Sequence, residues 1–552
     1  MDGFSETLYL GHHLLVTILS VQTVIPMRYV HRETITFSRL LRKNAKSNEI
    51  FSLRHQQQGE QYEGVSAKLC RDWDPSHMDG DICDLSECNM LSEAPLLDVL
   101  RRRFLKKKPD VYTYVSDIVV AINPYKYFDH LTHMETPLKR FKLKEDPHVW
   151  AIADFAFKGL LGTSMIPPES QSVVISGESG AGKTVSCNNV MKYLTCLSQE
   201  QTVYLEKKRG RRSSIADVCI EDKIMACNPF LEAFGNATTT RNNNSSRFGR
   251  YTKILYDTGR IIGAKMEDYL LEKSRVVHQP SGNRNYHVFH FLIEGADKDL
   301  RRELQLNLDP EFYRYTRGPE GEAPVTPAGT PELQRKADKE GFEEIQKCLR
   351  VAGLGSKGQS FLWKILTAIL ELGNIEFEEL KSNLVGKTTV VKLKSDGNDV
   401  PRAVRRVSEL LGLELNGNTG LISLLLHQVI SNPGRNEPDI YSEYETIREA
   451  RAAVDALAKQ MYHDVFKFIV ALTNNALLPR REPPVGGKFI GVLDIFGFEI
   501  FKVNSFSQLL INYANEMLQS LFNEHIFKRE VELYKEEKLQ IDEVVYVVEN
   551  IV

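Results

Sequence analysis

The sequence predicts an α/β nucleotide-binding fold: a mixed, mostly parallel central sheet flanked by helices, elaborated by a helical subdomain. Three observations lead there. The octapeptide GESGAGKT at 177–184 satisfies the full phosphate-loop pattern. An apolar, β-branched run at 173–176 precedes it and a helical pattern over 188–197 follows it, which is the strand–loop–helix context that the motif needs. Strand and helix patterns then alternate through the remaining sequence, as they do when helices cover a mainly parallel sheet.

The loop's residue types have a chemical reason. Its glycines let backbone N–H groups turn inward around phosphate oxygens, and the following helix presents the positive end of its dipole. Gly177, Glu178, Ser179, Gly180, Ala181, Gly182, Lys183 and Thr184 are therefore candidate nucleotide contacts. Lys183 is placed to reach the β- and γ-phosphates, and the Thr184 hydroxyl to ligate Mg²⁺.

Taken in order, residues 1–85 show no strong periodicity and read as a weakly structured N-terminal extension. An apolar run within 8–26 is interrupted by His12, His13, Thr17, Ser20, Gln22 and Thr23; it falls short of a membrane span and lacks a basic flank. From Leu91 an amphipathic helix (95–104) leads into a β-branched and aromatic run at 111–123, read as paired strands. After the phosphate loop come a basic loop at 207–214 and two strands, 251–256 and 261–270, joined at Asp257-Thr258-Gly259. Residues 283–380 are mainly helical, broken by a Pro/Gly-rich loop at 318–331. The pattern predicts one long helix over 440–478, a buried strand at 488–494 and a last long helix over 506–537.

With 552 residues the chain exceeds one hydrophobic core. Its 42% hydrophobic and 26% charged residues are ordinary globular usage. A net charge of −3 gives no global attraction to nucleic acid or anionic membrane, so neither is expected as a partner. Eight cysteines without metal-like spacing suit a reducing, cytoplasmic compartment.

Hydrolysis needs more than a phosphate cradle: groups must hold Mg²⁺ and orient water. Two later stretches offer them. The run NATTTRNNNSSRFG at 236–249 is a dense polar segment directly before a strand, readable by itself as a helix cap or solvated loop as readily as a part of the phosphate site. The run DIFGFE at 494–499 ends a buried strand in an acid, a glycine and a second acid, which suits Asp494 to a metal beside the loop.

GESGAGKT, NATTTRNNNSSRFG and DIFGFE, in this order, resemble the P-loop, switch I and switch II of myosin motor domains. The resemblance extends over residues ~85–550 through NPYKY (123–127), PHVWAIAD (147–154), NPFLEAFGNA (228–237), LLEKSRVV (270–277), RNYHVF (284–289), LGNIEF (372–377), DALAK (455–459) and NSFSQLLINYANEMLQSLFNEHIF (504–527). It implies a motor domain from residue 86 onward, with a relay-like helix at 506–537. It also implies ATP and Mg²⁺ as ligands and a cytoskeletal location with actin filaments as partner.

The resemblance assigns roles residue by residue. Ser245 and the Gly497 N–H would position the γ-phosphate and attacking water, and Arg247 and Glu499 would form the salt bridge closing the site. Ser246 would join Thr184 on Mg²⁺, with Asp494 acting through water. Asn242 would touch the phosphates, while Asn123, Pro124 and Tyr125 would line the adenine pocket. The loop at 207–214 would tune product release, and Asp439 would supply a fixed negative charge on the actin face. The chain departs from the pattern at Val185–Asn189, at the adenine-side tyrosine, for which Tyr127 or Phe128 substitutes, and at Glu371.

Residue 552 falls shortly after the relay-like helix. The resemblance places light chains or calmodulin only on a lever beyond it, and draws one interior strand of the sheet from there too. The expectation is accordingly a gap one strand wide between 113–122 and 173–176. Two functional classes follow: the nucleotide-handling part of an actin-based ATPase motor, or a nucleotide-binding scaffold derived from one. No second-substrate motif favours a kinase.

Overall fold

The computed structural model describes residues 13–19, 50–54, 61–66, 82–88, 93–126, 128, 147–162, 167–208, 220–319, 325–381, 389–417, 420–430, 440–479, 487–501 and 503–538. Apolar runs supply its frame: β1 (His13–Leu19), β2 (Tyr112–Val115), β3 (Ile118–Ile122), β4 (Gln171–Ser176), β5 (Gly249–Asp257), β6 (Arg260–Tyr269) and β7 (Lys488–Asp494) form a seven-stranded sheet ordered β6-β5-β7-β4-β1-β3-β2. The four central strands, β7, β4, β1 and β3, are mutually parallel. The flanks are antiparallel: β5 pairs with β7 and β6, and β2 with β3. The sheet is thus evenly mixed rather than mostly parallel, because short turns join both outer pairs. The β5–β6 turn uses Thr258 and Gly259, both left-handed at φ 47° and 79°, the geometry whose twist matches a hairpin.

The expected gap is absent. Its place is one strand wide, but β1 fills it, pairing Val16 with Val119 on one side and Leu14 with Val173 on the other. The occupant comes from the segment expected to be a weakly structured extension. Residues 50–54 and 61–66, from that same segment, form a separate hairpin. The helix expected over 440–478 also divides: Ile440–Glu443 pairs with His427–Ile430, and the helix begins only after Thr446, whose hydroxyl accepts from the Glu449 N–H. Of the basic loop read at 207–214, Lys207 and Lys208 end the helix Lys183–Lys208 instead, while 209–214, Tyr127 and Asp439 lie outside the described residues.

Helices α1 (Glu93–Phe104), α2 (Val149–Leu161), α3 (Lys183–Lys208) and α4 (Ile220–Gly235) precede the β5–β6 hairpin. Beyond it, α5 (His287–Gly295), α6 (Pro331–Val351), α7 (Ser356–Gly373) and α8 (Ile447–Ala476) form a helical layer continuous with the sheet's core, and α9 (Phe506–Glu536) ends the described chain. Tyr462 of α8 ties the layers together. Its ring stacks on Tyr286 at 4.8 Å, and its buried hydroxyl donates to the Phe234 carbonyl at 2.7 Å. Trp363 of α7, fully buried, packs on Phe342 of α6 at 5.0 Å.

Gly295, which ends α5, lies so close to α6 that any β-carbon there would collide with the Phe342 side chain. Gly295→Val should therefore destabilise the chain by ~1–3 kcal/mol through overpacking, read as a lower denaturant midpoint at unchanged slope. An unchanged midpoint would mean that α5 and α6 do not approach this closely.

Candidate active site

Strand β4 ends at Ser176 and the chain turns through Gly180 and Gly182, at φ 82° and 99°, into α3. Only glycine adopts these conformations cheaply. Lys183 begins α3, and its ammonium folds back to donate to the Gly177 and Glu178 carbonyls at 2.9 and 2.8 Å. The group is buried, and desolvation lowers its pKa from 10.5 to about 8 despite the attraction of Asp494, Glu499 and Glu178. Ala181 packs into the core beneath the loop.

On one side of the loop Asn123 donates to the Gly180 carbonyl at 2.7 Å and accepts from the Tyr125 N–H. A β-carbon on Gly180 would lie 3.4 Å from the Arg241 carbonyl, 3.6 Å from Asn242 and 3.8 Å from the Tyr125 hydroxyl. Asn123, Tyr125 and Asn242 thus meet at the loop's shoulder. Half-buried Pro124 bridges the first two in sequence, and Tyr125, at φ 51°, stays exposed.

Across the loop, β7 delivers Asp494 beside the start of α3. The Thr184 hydroxyl donates to Asp494 at 3.4 Å, and Arg250 reaches the other carboxylate oxygen at 3.5 Å while also holding Asn228. Beyond β7, Gly497 is pressed so tightly on the loop that a β-carbon would strike the Gly177 carbonyl, the Glu178 backbone and the Lys183 ammonium. The Ser179 N–H donates to the Phe498 carbonyl at 3.4 Å.

Ser245 and Ser246 form a two-residue strand against Asn236–Ala237. The Ser245 hydroxyl lies 3.3 Å from that of Ser179 and accepts from Arg247 at 3.1 Å. Ser246 is turned elsewhere: its hydroxyl donates to the Phe248 carbonyl at 2.7 Å. Arg247 and Glu499 make a two-pronged pair with no meaningful exposure, Nη1 to Oε1 and Nη2 to Oε2, the latter at 2.9 Å.

Sequence reasoning missed the rest of this cluster. Arg247 Nε donates to Glu272 at 2.7 Å, and Arg275 donates to the same oxygen, also at 2.7 Å. Two arginines and two glutamates therefore share one buried, neutral network. Burial alone opposes charge on both partners, but Arg275 and Arg247 hold the Glu272 carboxyl at about 2, below its usual 4.5. The Arg247 guanidinium is likewise held above its ordinary value by Glu272 and Glu499 against desolvation. Glu272 and Arg275 both stand in LLEKSRVV, where Lys273 and Ser274 between them give the same polar pattern and nothing marks the two as buried. Arg241, bonded to the Ile500 carbonyl and paired with Glu178, and Asn512 of α9 were also missed. Asn512 clamps the Glu499 backbone by accepting from its N–H and donating to its carbonyl, both at 2.9 Å.

The donor set suits Mg²⁺: Thr184 and Asp494 present hard oxygens at one point, beside the loop that ends in Lys183. The three stretches singled out by sequence thus converge, with Ser246 alone pointing away.

A family model described as myosin head (motor domain) matches residues 82–552. Myosin heavy chain 95F of Drosophila melanogaster is 38% identical over 485 residues, 84% of this chain and 36% of the relative. Unconventional myosin-Vc of Homo sapiens is 38% identical over 466 residues, 83% and 24% of the two lengths. The myosin-I heavy chain of Dictyostelium discoideum is 35% identical, over 84% of this chain and 18% of its own. The chain thus spans well under half the length of the curated relatives it matches.

Replacing Glu272 by Gln should leave two buried arginines sharing one carboxylate, at a cost of about 3–5 kcal/mol. The pH dependence has a definite sign. A carboxyl whose folded pKa is depressed stabilises above its unfolded value and loses that contribution as pH falls, here between about 4.5 and 2. Urea unfolding across this window should show a steeper acid loss in the parent than in Glu272→Gln; parallel curves would contradict the assignment.

Proposed function

Given that the chain belongs to the myosin head (motor domain) family, we propose that it is the ATP-binding and ATP-hydrolysing part of an actin-based motor, gated by contact between its two switch segments. The observation that carries this reading is the buried two-pronged pair of Arg247 and Glu499, which joins 236–249 to 494–499 beside Lys183. In this reading the pair acts as the gate. It is worth most when closed and desolvated, and opening it exposes the loop between the switches to water.

In this reading Gly177–Thr184 cradle the triphosphate through backbone N–H groups, with Lys183 supplying positive charge. Asn242 touches the phosphates, and Asn123, Pro124 and Tyr125 form the adenine side. Ser245 and the Gly497 N–H orient the attacking water. Thr184, with Asp494 through water, would hold Mg²⁺, and Ser246 would join them by rotating its hydroxyl off the Phe248 carbonyl. Held there, Mg²⁺ would supply positive charge against the phosphates. Actin filaments are the proposed partner, and a cytoskeletal location follows from it. Among the described residues no helix is long and apolar enough to cross a membrane. No observation favours the scaffold alternative.

Lys183→Ala should abolish binding of a fluorescent ATP analogue in a folded sample; unchanged affinity would sink the assignment. Arg247→Glu and Glu499→Arg should each block single-turnover hydrolysis while sparing initial binding. The double swap should recover only part of the rate, because it sets two carboxylates side by side at Glu272. Adding Glu272→Gln to the swap should then raise the rate further. If that third change lowers it, the gate is not electrostatic in this sense.

A further inference from the structure

We infer that Asn188 of α3 and Asn228 of α4 are positioning residues: acting through Arg250, they fix how the Asp494 carboxylate faces Thr184, and so how far a divalent cation assists nucleotide binding. The inference rests on the reading of this site as one that holds Mg²⁺ with a nucleotide.

The side chains form a closed ring. One carboxylate oxygen of Asp494 accepts from the Thr184 hydroxyl at 3.4 Å, and the other faces Arg250 Nη2 at 3.5 Å. Arg250 Nη1 donates to the Asn228 amide oxygen at 2.8 Å, and Asn228 Nδ2 donates to Asn188 Oδ1 at 2.9 Å. Thr184 and Asn188 are four residues apart in α3, hence on one face of it, and the ring closes on that helix. Arg250, Asn228 and Asp494 are all buried.

Chemistry dictates the direction of the ring. A guanidinium only donates, so Asn228 must turn its amide oxygen to Arg250. Its NH₂ is then left facing α3, where the partner must accept, and Asn188 does. Without an acceptor at 188, nothing on α3 holds the Asn228 amide in that sense. Arg250 would lose the orientation of its shorter anchor, and with it the fixed approach to Asp494. Asn188 lies within 185–189, where the chain departs from the myosin pattern, so likeness to relatives does not assign it this part.

The test is titration of the full-length parent and its variants with a fluorescent ATP analogue, in EDTA and again in excess Mg²⁺. The ratio of the two dissociation constants is the readout. The parent should bind more tightly in Mg²⁺. Asn188→Leu, which removes the acceptor without changing charge, and Arg250→Met should each cut the ratio by about tenfold, with the constant in EDTA within about twofold of the parent. Asn188→Asp keeps an acceptor in the same place and should keep the parent ratio. Because Asn188 acts through Arg250, adding Asn188→Leu to Arg250→Met should change nothing further. Position 188 is only half-buried, so Asn188→Leu and Asn188→Asp decide the matter even if Arg250→Met fails to fold. A parent ratio in Asn188→Leu, an equal loss in Asn188→Asp, additive losses in the double variant, or weakening of the same size with and without Mg²⁺ would overturn the inference. No gain from Mg²⁺ in the parent itself would overturn the metal reading, and this inference with it.

Discussion

A guanidinium with no exposure to water, shared between two carboxylates, is the constraint around which this site is arranged. Arg247 spends all three of its nitrogens on partners: Nη1 and Nη2 on Glu499, Nε on Glu272. Lysine could not replace it, since a point charge cannot present a planar fork to one carboxylate and a third donor to another. Burying four charges is tolerable only because they cancel and because the hydrogen bonds saturate; each one removed leaves its opposite stranded. The network has one local half and one long-range half. Glu272 and Arg275 lie three residues apart on a single helical turn, whereas Glu499 arrives from the far end of β7. Were Glu499 to move away, Arg247 and Arg275 would share the one carboxylate of Glu272, so parting 494–499 from 236–249 would leave one charge uncompensated.

The sheet brings these segments together by strand order. β4 and β7 are adjacent and parallel, so the phosphate loop and 494–499 leave the same edge side by side, where ligands of open α/β sheets bind. The antiparallel hairpin β5–β6 then carries 236–249 to the same edge from outside, and Arg250 at the start of β5 meets Asp494 at the end of β7. Asn512 extends the arrangement outward. Its amide mimics a peptide group against the backbone of Glu499, so any shift of 494–499 must be followed by α9 or break two hydrogen bonds. The capping box of Ser505 and Gln508 fixes where that helix starts, which makes the first turns of α9 a rigid follower of the acid.

What was legible in the sequence was what is local. The phosphate loop, the polar run and the acid–glycine–acid motif each carry their chemistry in consecutive residues, and the structure brings all three together. The failures share one cause. An apolar run such as 13–19 has no period that distinguishes a buried strand from an extension, and its partners are far along the chain. Strand Ile440–Glu443 was absorbed into the helix pattern because the periodicity of α8 runs up to it, and only the Thr446 cap marks the boundary. Glu272, Arg275 and Asn512 are ordinary surface residue types. Nothing but three-dimensional placement brings them against Arg247 or Glu499.

Lys183 shows how the same burial makes the site responsive to an anion. With a folded pKa near 8 against 10.5 when solvated, keeping its ammonium charged in the folded chain costs about 3 kcal/mol at neutral pH. Stability rises with pH between these two values as it does through the window of Glu272, but here what changes is a cost rather than a gain. This cost is present below the folded pKa and disappears as pH rises from about 8 to 10.5, where the lysine is neutral in the folded chain and still charged in the unfolded one. Its two carbonyl partners are neutral dipoles and only partly offset the desolvation. A phosphate in the cradle would supply a full negative charge within the same low-dielectric space, recovering much of that cost as binding free energy. Part of the affinity of such a loop for phosphate would therefore come from a destabilised lysine that the fold already carries, and a neutral substitute at 183 would forfeit this contribution even where every backbone N–H stays in place.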